Sequence, residues 1–137
     1  MKNILITGGA GYFGRAFASF LLRNTQVERI CIYSRDEWKQ AQLRAFLHDP
    51  DQRMRYFLGD VRDSNRLSWA MQNIDTVIHA AALKRIETAH YNPVELVKTN
   101  LQGTMNVIDE ANKGKTVKKV LFLSTDKACQ PDRKSVV

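Results

Sequence analysis

This 137-residue sequence predicts a doubly wound α/β fold, a parallel sheet of five strands with helices on both faces, and three observations carry that expectation. Short apolar runs alternate along the whole chain with stretches whose apolar residues recur at helical spacing. The first run, Ile4-Leu5-Ile6, is continuously apolar, as a parallel strand covered on both faces requires. It leads into a turn with glycines at Gly8, Gly11 and Gly14 and then into a helical stripe. Right-handed crossovers between such units give the strand order 3-2-1-4-5, with ligands at the carboxyl edges near the switch between strands 1 and 4.

Strand, glycine turn and helix in this order are the context in which a glycine pattern predicts a dinucleotide site, where a glycine triplet alone would read as a plain turn. Glycines allow a tight turn and a close approach of backbone to a diphosphate, while the helix start offers unpaired N–H groups and a positive dipole end. Thr7, Gly8, Gly11, Tyr12, Phe13 and Gly14 are the candidate contacts. Phe13, Ala16, Phe17, Phe20 and Leu21 make one apolar stripe, the expected buried face of the first helix.

Arg29–Tyr33 reads as the second strand and ends in Ser34-Arg35-Asp36-Glu37. A carboxylate at this place accepts from the ribose 2′-hydroxyl of NAD, whereas an arginine accommodates a 2′-phosphate. Ser34 and Arg35 precede any acid, which favours NADP over NAD; the alternative is Arg35 as a plain surface residue. Asp36 and Glu37 suit the start of a helix over residues 37–47, with Trp38, Ala41, Leu43, Ala45, Phe46 and Leu47 available for packing. After a turn at 48–51, Met54–Leu58 is the third strand, closed by Gly59-Asp60-Val61. Asp60 either accepts from an adenine amino group while Val61 packs on the ring, or serves the turn.

Asp63 or Ser64 caps a short helix carrying Leu67, Ala70 and Met71. Asp75–His79 is the fourth strand and runs into Ala80, Ala81, Ala82, Leu83 and Lys84. Three small residues suit a place where a ligand lies against backbone. Lys84 is either a phosphate or substrate contact or a solvated lysine, and His79 reads as a satisfied core histidine. Asn92-Pro93-Val94-Glu95 has the form of a helix start, with an Asn cap and Pro in the first turn. Val97, Leu101, Met105 and Ile108 mark its expected core stripe, continuing to about Ala111, and Gly114 is a natural left-handed stop. Lys119–Leu123 is the fifth strand. It delivers Ser124, Thr125, Asp126 and Lys127, a set able to polarise an alcohol and to give and take protons, unless it is only a polar turn.

The formal charge of +7 comes from 21 basic and 14 acidic residues. These are interleaved without an aromatic-plus-basic cluster, so a nucleic-acid partner is not expected and phosphate-bearing small molecules are. No run approaches membrane-spanning length, nothing resembles a signal peptide, and no metal site is expected. Cys31 and Cys129 are the two cysteines, and Cys31 falls in a buried strand, which predicts a reducing, cytoplasmic setting.

Thr7–Gly14, Tyr33–Glu37, Gly59–Asp63, His79–Lys84 and Ser124–Ala128 together resemble the extended short-chain dehydrogenase/reductases with their Rossmann-like cofactor domain. More narrowly they look like the nucleotide-sugar 4,6-dehydratases of polysaccharide biosynthesis, in particular the UDP-N-acetylglucosamine branch. The resemblance covers residue 1 to about Pro131 and implies an internal redox cycle on a UDP-sugar: bound NADP takes hydride from C4, water leaves across C5 and C6, and hydride returns to C6. It also implies that Thr125 bonds the C4 oxygen, Asp126 protonates the departing 6-hydroxyl and Lys127 takes the C5 proton, with Asn100 organising the site. Family members continue into a Tyr-x-x-x-Lys segment and a substrate domain, whereas this sequence runs Gln130–Val137 and ends. Residues 1–137 are therefore expected to be a partial NADP-binding domain, inactive alone and homo-oligomeric through the fifth strand or the helix from Pro93. The alternatives are a non-catalytic NADP-binding or oligomerising module, and a portion of a related epimerase or reductase.

Overall fold

A computed structural model describes residues 2–124. Its strands are β1 (Asn3–Thr7), β2 (Arg29–Ser34), β3 (Met54–Leu58), β4 (Thr76–His79) and β5 (Lys119–Phe122). They form one parallel sheet in the order β3-β2-β1-β4-β5, as predicted. The continuous apolar run of β1 has a direct cause. Ile4 and Ile6 enter one core with Ala18, Leu21, Ile30 and Ile32, while Leu5 enters the other with Tyr33, Leu67, Val77 and Val107. Each fully buried Ile or Leu contributes roughly 1.5–3 kcal/mol, so neither face could be made polar cheaply.

The first core lies under α1 (Tyr12–Asn24) and α2 (Glu37–Phe46). The predicted face of α1 is corrected: Gly14, Ala18, Leu21 and Leu22 are buried, while Phe13, Ala16 and Phe20 are exposed and Phe17 is half-buried. Close packing decides this. A Cβ on Gly14 would lie 2.3 Å from Gly9 O, so only the small-residue side of the helix can approach the turn. The phenylalanines stack on one another instead, Phe13 on Phe17 at 5.5 Å and Phe17 on Phe20 at 6.4 Å. Arg53 closes the far end, donating to Thr25 O at 2.9 Å and to Leu22 O, where a cation meets the negative dipole end.

In α2 the buried residues are Gln40 and Leu43, and Trp38, Ala41, Ala45 and Phe46 are exposed, contrary to expectation. Gln40 is drawn inward by hydrogen bonds. Its Nε2 donates to Ser34 O, Ser34 Oγ and Phe57 O at 2.9–3.2 Å, tying together the carboxyl ends of β2 and β3. Asp36 caps this helix as predicted, accepting from Lys39 N at 2.9 Å.

The second core lies under α3 (Ser64–Ala70) and the long helical stretch that precedes β5. Asp63 caps α3 through Arg66 N at 2.9 Å, and Leu67, Ala70 and Met71 are buried as predicted. The long stretch is more broken than expected. A helix α4 (Ile86–Tyr91) precedes it, then come α5 (Pro93–Leu96), a π-helical segment (Val97–Gln102) and α6 (Gly103–Lys113). Asn92 stands at the N-cap of α5 with Pro93 in the first turn, as predicted, but its side chain makes no cap bond there; its amide donates to Thr88 O at 3.1 Å, back toward the end of α4. The expected stripe of Val97, Leu101, Met105 and Ile108 faces outward, and Thr99, Gly103, Val107, Glu110 and Ala111 are buried. Gly103 sets this face, since a Cβ there would lie 2.6 Å from Val61 Cγ2. Gly114 ends α6 at φ −77°, not in the left-handed region. β5 is one residue shorter than predicted and pairs only with β4 among the described residues. Leu121, Phe122 and Leu123 are exposed along that edge. No described helix is long and apolar enough to cross a membrane.

Candidate functional site

The carboxyl edges of β1 to β4 open into a cleft of about 1120 Å³. Gly8, Gly11, Tyr12, Phe13, Ser34, Arg35, Asp60, Val61, Ala80, Ala81, Ala82, Lys84 and Asn100 all line it, so most of the cofactor set predicted from sequence is brought together. Thr7 and Gly14 lie buried beneath its floor.

The glycine turn is built for close approach. Gly8 has φ +65°, and a Cβ there would lie 2.7 Å from Ala80 O, so the turn rests directly on the backbone leaving β4. Gly11 N donates to Gly8 O at 2.9 Å and closes the loop. α1 then begins at Tyr12, and its first-turn N–H groups have no helical acceptor. This end of the cleft offers donors and positive potential without side chains in the way, a cradle for a diphosphate.

The other end carries the charged side chains. Asp60 Oδ1 accepts from Arg62 N at 3.0 Å, and Oδ2 accepts from Arg62 Nε at 2.9 Å and Nη2 at 2.7 Å. Arg35 Nη1 lies 3.5 Å from the same Oδ2, and Arg62 also pairs with Glu95. Burial opposes ionisation of Asp60, but the Arg62 hydrogen bonds and the nearby Arg62 and Arg35 charges hold its carboxyl below the usual carboxylate range. The turn role is therefore present in Asp60 together with a place in the cleft wall. Tyr33, fully buried, donates to Asp60 O at 2.8 Å and steadies this loop. Ser34 Oγ accepts from Gln40, which leaves its own hydrogen free to donate. Lys39 also lines the cleft, paired with Asp36 at 3.4 Å. Its position one helical turn beyond Arg35 is a signal that could have singled it out.

The wall from Ala80 to Leu83 is held from outside. Asn100 Oδ1 accepts from Leu83 N and its Nδ2 donates to Leu83 O, both at 2.8 Å, so this side chain fixes the wall's backbone. Thr99, not anticipated from sequence, lines the cleft with a buried hydroxyl that has no hydrogen-bond partner among the described residues. No periodicity marks it. Thr99 and Asn100, consecutive residues of the π-helical segment, both line the cleft. His79 is a buried, bonded core histidine as expected, 2.8 Å from Thr7 Oγ1 and 3.2 Å from Thr104 Oγ1, and burial pushes its pKa down. Ser124 and Leu123 close the cleft beyond β5. Thr125, Asp126 and Lys127 lie outside the described residues. No group of three or more potential metal ligands occurs among the described residues.

The described residues suit an adenine dinucleotide: a glycine turn packed too closely on Ala80 and on itself to admit a Cβ at Gly8 or Gly14, cations beside Ser34 at the far end, and an orphaned hydroxyl in the wall. A family model for polysaccharide biosynthesis proteins matches residues 4–134. A UDP-N-acetylglucosamine 4,6-dehydratase (inverting) of Campylobacter jejuni is 54% identical over 130 residues, covering 95% of this chain. A UDP-glucose 4-epimerase of Rickettsia bellii is 44% identical over 133 residues. The chain spans 38% of the length of both relatives. Among solved structures, Pen from Bacillus thuringiensis superimposes with a TM-score of 0.86 at 42% identity, over 95% of this chain and 39% of that one. DesIV, a dTDP-glucose 4,6-dehydratase from Streptomyces venezuelae with NAD and TYD bound, gives 0.75 at 26% identity, over 86% of this chain and 38% of that one.

Proposed function

This chain belongs to the polysaccharide biosynthesis protein family, and from that premise we propose that it is the NADP-binding portion of a nucleotide-sugar 4,6-dehydratase of the UDP-N-acetylglucosamine class. The observation that carries the reading is the cleft's division of labour: a glycine cradle at one end, and Ser34, Arg35 and Lys39 gathered at the other. The dehydratase relative's name supports the substrate class, and the dehydratase structure with NAD bound supports a dinucleotide.

In this reading the backbone of Gly8–Phe13 holds the diphosphate, and Asp60 with Val61 receives the adenine. Ser34, Arg35 and Lys39 meet the 2′-phosphate, which NAD lacks. The dinucleotide, when bound, supplies a hydride acceptor and donor. The small residues Ala80–Ala82 let the ligand lie close to backbone, and Lys84 contacts a phosphate or the substrate. Thr125 hydrogen-bonds the sugar's C4 oxygen, Asp126 gives a proton to the leaving 6-hydroxyl, and Lys127 takes the C5 proton. The elements of water thus depart with charge balanced between an acid and a base. The chain has no turnover alone. The exposed stripe of Val97, Leu101, Met105 and Ile108, or the open edge of β5, is where a second copy packs, and the setting is cytoplasmic.

Titration of the 137-residue chain with NADP and NAD tests this reading. NADP binds more tightly, and Arg35→Ala removes most of the difference; equal affinities overturn the cofactor assignment. A second reading, a portion of a UDP-sugar 4-epimerase, draws on the 44% identity to the Rickettsia protein. Completed with the remaining length of a relative, a dehydratase makes a 4-keto-6-deoxy sugar from UDP-N-acetylglucosamine. An epimerase returns a C4 epimer with its 6-hydroxyl intact.

A further inference from the structure

Five hydrogen bonds around His79 allow only one arrangement of protons. Thr104 Oγ1 lies 2.6 Å from Asn100 O, and a carbonyl only accepts, so the threonine's single hydrogen is committed there. Toward His79 Nε2, 3.2 Å away, Thr104 can then only accept, and the ring carries its hydrogen on Nε2. The ring is buried and has no carboxylate among its hydrogen-bond partners, so it is neutral and Nδ1 is bare. Thr7 Oγ1, 2.8 Å from Nδ1, therefore donates to it. The remaining lone pairs of Thr7 face the N–H groups of Ala80 at 3.2 Å and Ala81 at 3.4 Å. The opposite tautomer would set two acceptors against each other at Thr104 and would crowd three N–H donors onto Thr7 Oγ1, which has two lone pairs.

The two ends of this chain hold the same wall. Thr7 fixes Ala80 and Ala81 against the end of β1, next to Gly8, and Asn100 fixes Leu83. We propose that His79 is a positioning residue: its Nε2–H tautomer ties Thr7 to Thr104 and Asn100, so that the glycine turn and the Ala80–Leu83 wall are held as one unit. A looser wall binds a dinucleotide less well, and that consequence rests on the function proposed above. Thr7 and Thr104 touch the ring from opposite sides, and the ring carries what passes between them.

Nitrogen-15 NMR of the histidine rings of the intact chain reads the tautomer without any variant. One of the three histidines is expected as a neutral Nε2–H ring, assigned by its disappearance in His79→Gln. A neutral Nδ1–H ring, or a charged ring near neutral pH, overturns the proposal. Among variants, His79→Gln keeps a donor toward Thr104 and His79→Asn keeps an acceptor toward Thr7. Each is expected to weaken dinucleotide binding by about three- to tenfold, the worth of one or two neutral hydrogen bonds, and His79→Leu by more than either. In a double-mutant cycle, Thr7→Val and Thr104→Val are non-additive with His79 present and additive in the His79→Leu background. Additive effects with His79 in place overturn the proposal. If the wild-type chain binds no dinucleotide, the function proposed above fails instead. The same cycle is then read from hydrogen-exchange protection of the Ala80, Ala81 and Leu83 amides, and additivity there still overturns the role of His79.

Discussion

Replacing Thr99 with valine moves the free and liganded protein in opposite directions. The threonine hydroxyl is buried with no partner among the described residues, in a residue that lines the cleft. An unsatisfied buried hydroxyl costs about 1–3 kcal/mol, and a methyl of the same shape does not carry that cost. Thr99→Val should therefore stabilise the free chain by about 1 kcal/mol, which for a domain of this size is a rise of roughly 3–5 °C in Tm. With a ligand in the cleft the hydroxyl gains a partner, worth about 0.5–1.5 kcal/mol net, so the same variant loses roughly two- to tenfold in affinity. Differential scanning calorimetry of the free chain and calorimetric titration with NADP read the two effects. Thr99→Ser, which keeps the hydroxyl, should hold the wild-type affinity. A variant that melts earlier, or one that binds as wild type does, would refute the assignment of Thr99 as a ligand-facing hydroxyl.

Three further outcomes follow from the geometry. Gly14→Ala places a Cβ 2.3 Å from Gly9 O and 2.4 Å from Gly9 Cα; overpacking of this kind costs about 1–3 kcal/mol, visible as a lower urea midpoint, and it opens the cradle so that dinucleotide binding is lost. Gly11→Ala, whose nearest clash is 3.1 Å from Gly8 O, is the milder control. Asp60, with its folded pKa depressed, contributes stability that is present above the ordinary carboxylate range and lost as pH falls through its folded value. Asp60→Asn should thus flatten the acid limb of a Tm-against-pH curve, and an unchanged acid limb would count against the Arg62 pairing. Leu101→Glu, on the outward stripe, should abolish self-association seen by light scattering, whereas a wild-type chain that stays monomeric at high concentration would remove that stripe as an interface.

The strands were legible because their cause is local. A run such as Ile4-Leu5-Ile6 can be satisfied only by cover on both faces, and the glycine turn follows it within two residues. Helix faces were misread wherever two stripes competed. On α1 the phenylalanines outweigh Gly14 and Ala18 in hydrophobicity, yet it is the small residues that reach the turn, because distance of approach and not apolarity selects the buried side. The same preference put Gly103 against Val61 and turned Leu101 and Met105 outward. Gln40 reads from sequence as a polar residue on a surface helix, although three acceptors at two strand ends make its burial favourable. The cleft itself was largely anticipated, since glycines, an arginine at a strand end and three alanines each state a backbone or charge requirement directly. Thr99 and the identity of His79's two partners are not legible in this way, because a hydroxyl without a partner and a ring between two threonines exist only once distant segments have met.

The wide turn at Val97–Gln102 gives this stretch a tolerance of length that a regular helix lacks. A π-helical turn is an α-helix carrying one surplus residue. In a regular helix one added residue would rotate everything beyond it by about 100° around the axis. The widened turn takes up that rotation locally, so Gly103 meets Val61 while Asn100, inside the turn, reaches Leu83. Loss of a single codon there would tighten the winding and leave the flanking segments in phase, and the contact put at risk is the one made from inside the turn.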